Sequence, residues 1–378
     1  MTGMAATTPV PAAAAQLLPW ALAHPEALPA LPVSGWELLL RQARSAGLHA
    51  RLAARLQALS LLEAVPAAPR AHLHGALRLA QAQHEEVLRE ARALRRALAP
   101  LGLPLVLLKG AAYVAADLPA AQGRLFSDID ILVPRARLDE AERQLQQHGW
   151  RFDPGLSAYD QCYYRAWTHE LPPLTHRSRG TVVDVHHALL QPTARERPDS
   201  ALLLAAARPA ALEGVQVLAP VDMVLHAVTH LFRNEEFSHG LRDLSDIDAL
   251  LRRFGSEPDF WNGLLERARE LQLARLLHHG LRAARRLLDT PVPEDTLSAA
   301  AAAAPGAVTQ ALMDALWTRA LRAPLRDTRL PLTGAALCLL YLRAHALRMP
   351  PGLLLRHAWI KTRLRWRPAP AAAAATRP

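Results

Sequence analysis

The sequence predicts an α+β protein in which a small mixed β-sheet sits between two helical regions. Three observations lead there. Hydrophobic residues make up 51% of the 378, mostly Ala and Leu, while aromatics are only 5%, the balance of a helix-rich chain rather than an all-β one. Apolar residues recur at three- and four-residue spacing up to about residue 99 and again from residue 221 onward, which is the helical period. Between about residues 100 and 190 the pattern changes to short apolar runs stopped by Gly or Pro, as buried strands are. A chain of this length has room for two or three packed units.

Taken in order, residues 1–14 and 367–378 are Pro/Ala-rich and are expected to be disordered tails. Residues 15–99 form a helical N-terminal region, carried by "GWELLLRQARSAGLHARLAARLQAL" and, after a Pro break, "HLHGALRLAQAQHEEVLREARALRRAL". The core spans residues 100–190. "LPLVLLKG" reads as a strand ending in glycine, "AAYVAADL" as a helix, and "DIDILVP" as a strand stopped by Pro134. "RLDEAERQLQQHG" is an amphipathic helix with Leu138, Ala141 and Leu145 on one face and Gly149 at its C-terminal cap. "QCYYRAWTH" and "GTVVDVHHALL" read as further strands, the second entered through a Ser178-Arg179-Gly180 turn, for a sheet of four or five strands. Residues 191–219 are a Pro/Arg-rich connecting segment with a short strand at "VQVL". Residues 220–366 form a helical C-terminal domain. Within it "GAALCLLYL" falls far short of the roughly 20 residues a membrane span needs, and reads as a buried helix.

Composition removes several function classes. Two cysteines, Cys162 and Cys338, cannot build a disulfide framework or a Cys-based zinc site, and point to a reducing, cytoplasmic compartment. The N-terminus lacks a basic segment followed by an unbroken apolar core, so no signal peptide is expected. The net charge of +10 and pI near 10.6 suit a polyanionic partner such as nucleic acid. Of the 44 basic residues 42 are Arg, however, so part of that charge reads as coding bias. Against that background a lysine at 109 stands out as a place where a compact ammonium is wanted.

The sequence Ser-Asp-Ile-Asp occurs twice, in "FSDIDILV" at residues 126–133 and in "LSDIDALL" at residues 244–251. On a strand, period two puts Asp128, Asp130 and Leu132 on one face and Ile129, Ile131 and Val133 on the other. Two carboxylates about 7 Å apart on one face repel each other, unless a divalent cation such as Mg²⁺ lies between them. The alternative is a strand edge carrying charged gatekeepers. The surroundings favour the cation: Lys109-Gly110 ends the preceding strand, Arg124 precedes Asp128 by four residues, Ser127 adjoins the pair, and Asp184 lies on a later strand with Val182 and His186 on its face. In the second copy Leu241, Leu244, Ile247, Leu250 and Leu251 make a helical stripe. Asp246 and Asp248 then lie roughly 200° apart around the axis, and read as a solvated acidic face.

A strand ending in K-G, then R-x-x-S-D-I-D on a second strand, then V-D-V-H on a third resembles the DNA polymerase β-type nucleotidyltransferase superfamily. The likeness is greatest to its bacterial uncharacterised nucleotidyltransferase branch, and more distant to abortive-infection and MenT-like toxins. It extends through "PLVLLKGAAYVA", "RLFSDIDILV", "VDVHHALL", "HAVTHLF" and "LRDLSDIDALL". The resemblance implies a small mixed β-sheet nucleotidyltransferase core flanked by helical N- and C-terminal regions. It implies Mg²⁺-dependent transfer of an NMP from an NTP, ATP among them, to an acceptor hydroxyl or phosphate, with release of pyrophosphate. By position, Asp128, Asp130 and Asp184 would bind two Mg²⁺ ions and Asp184 would help deprotonate the acceptor. Gly110 would let the backbone approach the triphosphate, and Lys109, Arg124 and Ser127 would complete the nucleotide site. Where many members of the superfamily have Gly-Ser, Ala111 follows Gly110. The acceptor, whether small molecule, RNA or protein, is left open. A toxin-like enzyme modifying tRNA 3′ ends and a catalytically silent nucleotide-binding or interaction protein are the alternatives.

Other candidates carry less. His226 and His230, four apart on a helix, lack the Glu of H-E-x-x-H and read as interior or surface histidines. His186 could orient Asp184, touch substrate or simply pack beside the sheet. His186-His187 and His278-His279 have no evident partners. No G-x-S-x-G, G-x-G-x-x-G or P-loop is present. The run "LLLRHAWIKTRLRWR" reads as a solvated terminal helix, with RNA or an anionic membrane as its other possible neighbours.

Overall fold

A computed structural model describes residues 9–365; of the tails expected at residues 1–14 and 367–378, residues 1–8 and the whole of 367–378 lie outside them. The N-terminal region is built from α1 (Leu17–Ala23), α2 (Val33–Ser45), α3 (His49–Ala58) and the long α4 (Ala67–Leu98). The core follows as β1 (Leu105–Leu107), α5 (Lys109–Ala115), β2 (Ile129–Leu132), α6 (Leu138–Gln147), β3 (Trp150–Phe152), α7 (Ala158–Trp167), β4 (Leu174–His176) and β5 (Val182–His186). Then come α8 (Ser200–Ala205), β6 (Arg208–Pro209) and β7 (Val215–Val217). The C-terminal helices are α9 (Pro220–Arg233), α10 (Gly240–Phe254), α11 (Phe260–Glu270), α12 (Ala274–Leu288), α13 (Glu294–Ala301), α14 (Ala307–Ala320), α15 (Thr333–Arg348) and α16 (Pro351–Arg365). The architecture is α+β, as the sequence predicts.

The strands form one mixed sheet in the order β3-β4-β5-β2-β1-β7-β6. β2 runs antiparallel to β1 and parallel to β5, with Asp130 beside Asp184 and Leu132 beside His186. Paired residues of parallel strands point to the same face, so Asp130, Asp184 and His186 share one side of the sheet. Ile129, Ile131, Val183 and Val185 take the other and are buried in the main apolar core.

Three expectations fail here. The segment read as a strand at "QCYYRAWTH" is α7; Ser157 caps it by accepting from the Asp160 backbone N–H at 3.0 Å, a local signal that outweighs the strand preference of its aromatics. The sheet also reaches beyond residue 190: β7 pairs in parallel with β1 and brings β6 with it, so seven strands replace four or five among the described residues. α15, read as a buried helix, buries Ala336, Leu340 and Ala344 but exposes Leu339, Tyr341 and Leu342.

The largest correction concerns the second Ser-Asp-Ile-Asp. Its apolar stripe on α10 is buried as expected, but Asp246 and Asp248 are only 3% and 0% exposed. Asp246 is held by two arginines: Arg124 Nε donates to its Oδ2 at 2.8 Å, and Arg51 Nη1 lies 2.7 Å from its Oδ1. Arg51 also donates to the Ala120 carbonyl and to Ser245 Oγ. Asp248 accepts from Arg55, Arg252 and Thr290. A helix face can be acidic and dry when neighbouring elements supply buried cations, and here α3 and the loop before β2 supply them.

These contacts fix the path of the segment from α5 to β2. Gly123 has φ +65°, and a Cβ there would overlap the Ala50 carbonyl, so glycine lets the loop press onto α3. Arg124 and Phe126 fill the space that a Cβ on Gly110 would need. Asp246→Ala would leave two arginines buried without a counter-charge, which costs about 3–5 kcal/mol. Chemical denaturation of Asp246→Ala is expected to show a loss of that order, while Glu266→Ala on the exposed face of α11 stays within about 0.5 kcal/mol of the wild type.

Candidate active site

The parallel pairing of β2 and β5 sets the Asp130 and Asp184 side chains next to each other. Asp128 lies just before β2, with Ser127 Oγ donating to its carboxylate at 3.0 Å. A fourth carboxylate, Glu170, was not singled out in the sequence. Residues 169–171 run antiparallel along β5: Glu170 bridges to His186, and Leu171 N–H donates to the Val185 carbonyl at 2.9 Å. The pairing puts Glu170 on the face of His186, and the His169 ring reaches the same place, 5.3 Å from that of His186. His226, on α9, is buried beside His186 with ring centroids 6.4 Å apart.

Asp128, Asp130 and Glu170 thus gather around one lysine, with Asp184 beside Asp130 on the next strand. Lys109 begins α5 with φ +45°, a conformation L-residues seldom adopt. Its Nζ lies 2.7 Å from Asp130 Oδ1, and His186 Nε2 donates to the same oxygen at 2.9 Å. Burial works against charge on Asp130, but Lys109 and His186 outweigh it and hold the carboxyl well below the usual range. Burial likewise opposes the Lys109 charge, and Asp130 outweighs it to raise its pKa. Among the described residues Asp184 has no such partner. Burial, then Asp130, Glu170 and Asp128, push it up to about 7, and its Oδ1 is buried without a hydrogen bond. Burial keeps His169 and His226 well below the ordinary histidine range, helped by His186 and Lys109; both imidazoles are neutral near pH 7.

An excess of carboxylates, one of them buried and unpartnered, is the donor set a hard divalent cation requires. The residues present therefore fit a hard divalent cation such as Mg²⁺, which Asp128, Asp130 and Asp184 would hold. Two cavities flank them. One of about 240 Å³ is lined by Lys109, Tyr164, His169, Glu170, His186 and His226. The other, about 170 Å³, lies between α4 and the start of β2, lined by Gln83, Glu86, Ser127, Asp128, Arg179 and Thr181.

The remaining sequence candidates fall elsewhere. Arg124 is 7% exposed and its guanidinium is turned to Asp246. Gly110 is buried beneath Arg124 and Phe126. His230 lies 3.6 Å from Asp243. His278 meets Gln310 at 2.8 Å and His279 stacks on Phe232.

A family model described as uncharacterised nucleotidyltransferase matches residues 32–289. That stretch runs from the residue before α2 to the residue after α12 and includes the whole sheet and the side chains around Asp130. No curated protein and no solved structure matches the chain.

The raised Asp184 gives a pH signature. An unfolded aspartate titrates near about 4, so the folded, metal-free chain binds the proton more tightly and is stabilised where Asp184 is protonated. That contribution is full below about pH 4 and is lost as the pH rises through about 7. Thermal melts in chelator are expected to show this decline for the wild type and not for Asp184→Asn. At pH 8 the variant should melt higher than the wild type, and added Mg²⁺ should raise the wild type alone.

Proposed function

The chain belongs to the family of uncharacterised nucleotidyltransferases, and on that footing we propose that it transfers an NMP from an NTP to an acceptor hydroxyl or phosphate, releasing pyrophosphate, with Mg²⁺ held by Asp128, Asp130 and Asp184. The observation that carries the reading is the side-by-side register of Asp130 and Asp184 on one face of the sheet. Had Asp184 been on the opposite face, the three carboxylates could not serve one site. When bound, two such ions would neutralise phosphate charge and align the attacking and leaving oxygens.

The protein's own groups divide the remaining work. Asp184, raised to about 7 while no cation is bound, is the carboxyl that a bound cation would ionise, and as a carboxylate it is assigned to help deprotonate the acceptor hydroxyl. Lys109 lines the larger cavity with its ammonium at Asp130, so a phosphate oxygen entering there meets a compact, desolvated positive charge. That cavity is assigned to the triphosphate, and the cavity beside Ser127 and Asp128 to the acceptor. Arg124 is a positioning residue: engaged with Asp246, it holds the loop that delivers Asp128.

Incubation with each α-labelled NTP, Mg²⁺ and either total RNA or a metabolite extract is expected to move label to an acceptor. Asp128→Ala should abolish transfer, and Asp184→Asn should slow it by roughly 10²–10⁴-fold, the range for a lost general base. Absence of transfer under every condition would favour a nucleotide-binding protein without turnover.

A further inference from the structure

His186 makes two contacts of different kinds. It is 2% exposed, and its Nε2 donates to Asp130. Burial opposes charge on the ring, but Asp130 and Glu170 on its two sides outweigh it and raise the His186 pKa, so Nδ1 meets Glu170 either through a proton or, in the neutral ring, as a lone pair free to bind a metal ion. Nδ1 is buried without a hydrogen bond among the described residues, and Glu170 Oε2 lies 3.4 Å from it. A lone pair facing a carboxylate oxygen in a buried place is repulsive unless a positive centre lies between them.

His169 completes the group. Its Nε2 lies 3.8 Å from the same Glu170 oxygen, and its ring centroid is 5.3 Å from that of His186. One donor atom from each of the three residues falls within 4.8 Å of the others. Two ligands at the usual Zn²⁺ bond lengths and a tetrahedral angle are about 3.4 Å apart, so the carboxylate-to-imidazole separations are already close to coordination distance.

We propose that His169, Glu170 and His186 bind a first-row transition ion of the Zn²⁺ type, at a position separate from the Mg²⁺ carboxylates. Two imidazole nitrogens and one oxygen suit such an ion, whereas Mg²⁺ prefers oxygen alone. Asp130 supplies the carboxylate behind a ligating histidine that fixes its tautomer and orientation. The backbone reinforces the arrangement: the Glu170–His186 bridge and the His187 N–H to His169 carbonyl bond at 2.9 Å hold residues 169–171 to β5. All three side chains line the larger cavity, so three protein ligands leave a further coordination position open to water or substrate.

The test is calorimetric titration of the chelator-stripped full chain with Zn²⁺ alone. One ion is expected to bind with a dissociation constant on the order of micromolar or tighter. His169→Ala and Glu170→Gln, both at partly exposed positions, should weaken it by roughly tenfold or more. Asp128→Asn and Asp184→Asn should leave it in place, and circular dichroism checks that each variant folds. The proposal is overturned if Zn²⁺ does not bind the wild type, as when a protonated His186 bridges Asp130 and Glu170. It is equally overturned if binding survives both His169→Ala and Glu170→Gln, or is lost with Asp184→Asn. Because the Mg²⁺ variants are separate from the Zn²⁺ variants, failure here leaves the transferase reading untouched, and the reverse.

Discussion

The buried ion cluster of Arg51, Asp246 and Arg124 is the constraint on which the rest of the molecule depends. It joins three stretches distant in sequence: α3 of the N-terminal region, the loop entering β2, and α10 of the C-terminal region. Each charge is nearly sheltered from water, so each is costly without the others. Burial opposes the charge of Arg124, and Asp246 outweighs it to hold the guanidinium firmly protonated. The loop that carries Asp128 is thus pinned from both sides. Gly110 and Gly123 are the positions where this pinning needs a missing side chain, because Arg124 and the α3 backbone take up the space.

What the pinned loop delivers is an electrostatic imbalance on one face of a small sheet. Asp130 is satisfied by Lys109 and His186, while Asp184, one strand over, is left partnerless and raised to about 7. Without a cation, one carboxylate is thereby held ionised while its neighbour keeps its proton up to about pH 7, so a cation arriving at Asp184 has a proton to displace. The left-handed backbone of Lys109 sits at this point too, consistent with strain being kept where the chemistry is placed.

Much of this was legible in the sequence wherever the signal is local. Period two along "DIDILV" separated acidic from apolar faces, and "TVVDVHH" placed Asp184 on the face of His186, as the register then has it. The long helical periods were equally plain. What stayed hidden depends on tertiary contacts, those of Asp246 across more than a hundred residues. Nothing near Asp246 announces that Arg51 and Arg124 will be folded against it, so an acidic pair on a helix was read as solvated. His169 and Glu170 were missed because "THE" has no pattern of its own; only pairing along β5 brings it to the site. At "QCYYRAWTH" the aromatic, strand-like composition competes with a local helix-start signal, Ser157 and Asp160 three residues apart, and the cap wins. β7 was visible as "VQVL", but its place beside β1 was not.

The central claim is that Asp128, Asp130 and Asp184 together hold divalent ions against a bound nucleotide. Diffraction from crystals grown with Mn²⁺ and a non-hydrolysable NTP tests it most directly, because Mn²⁺ is located by its anomalous scattering. The expected result is anomalous density bridging the three carboxylates and the triphosphate, with carboxylate oxygens about 2 Å from the ions and Lys109 in contact with a phosphate oxygen. Nucleotide bound with no ion between those carboxylates, and Lys109 still paired to Asp130, would contradict it.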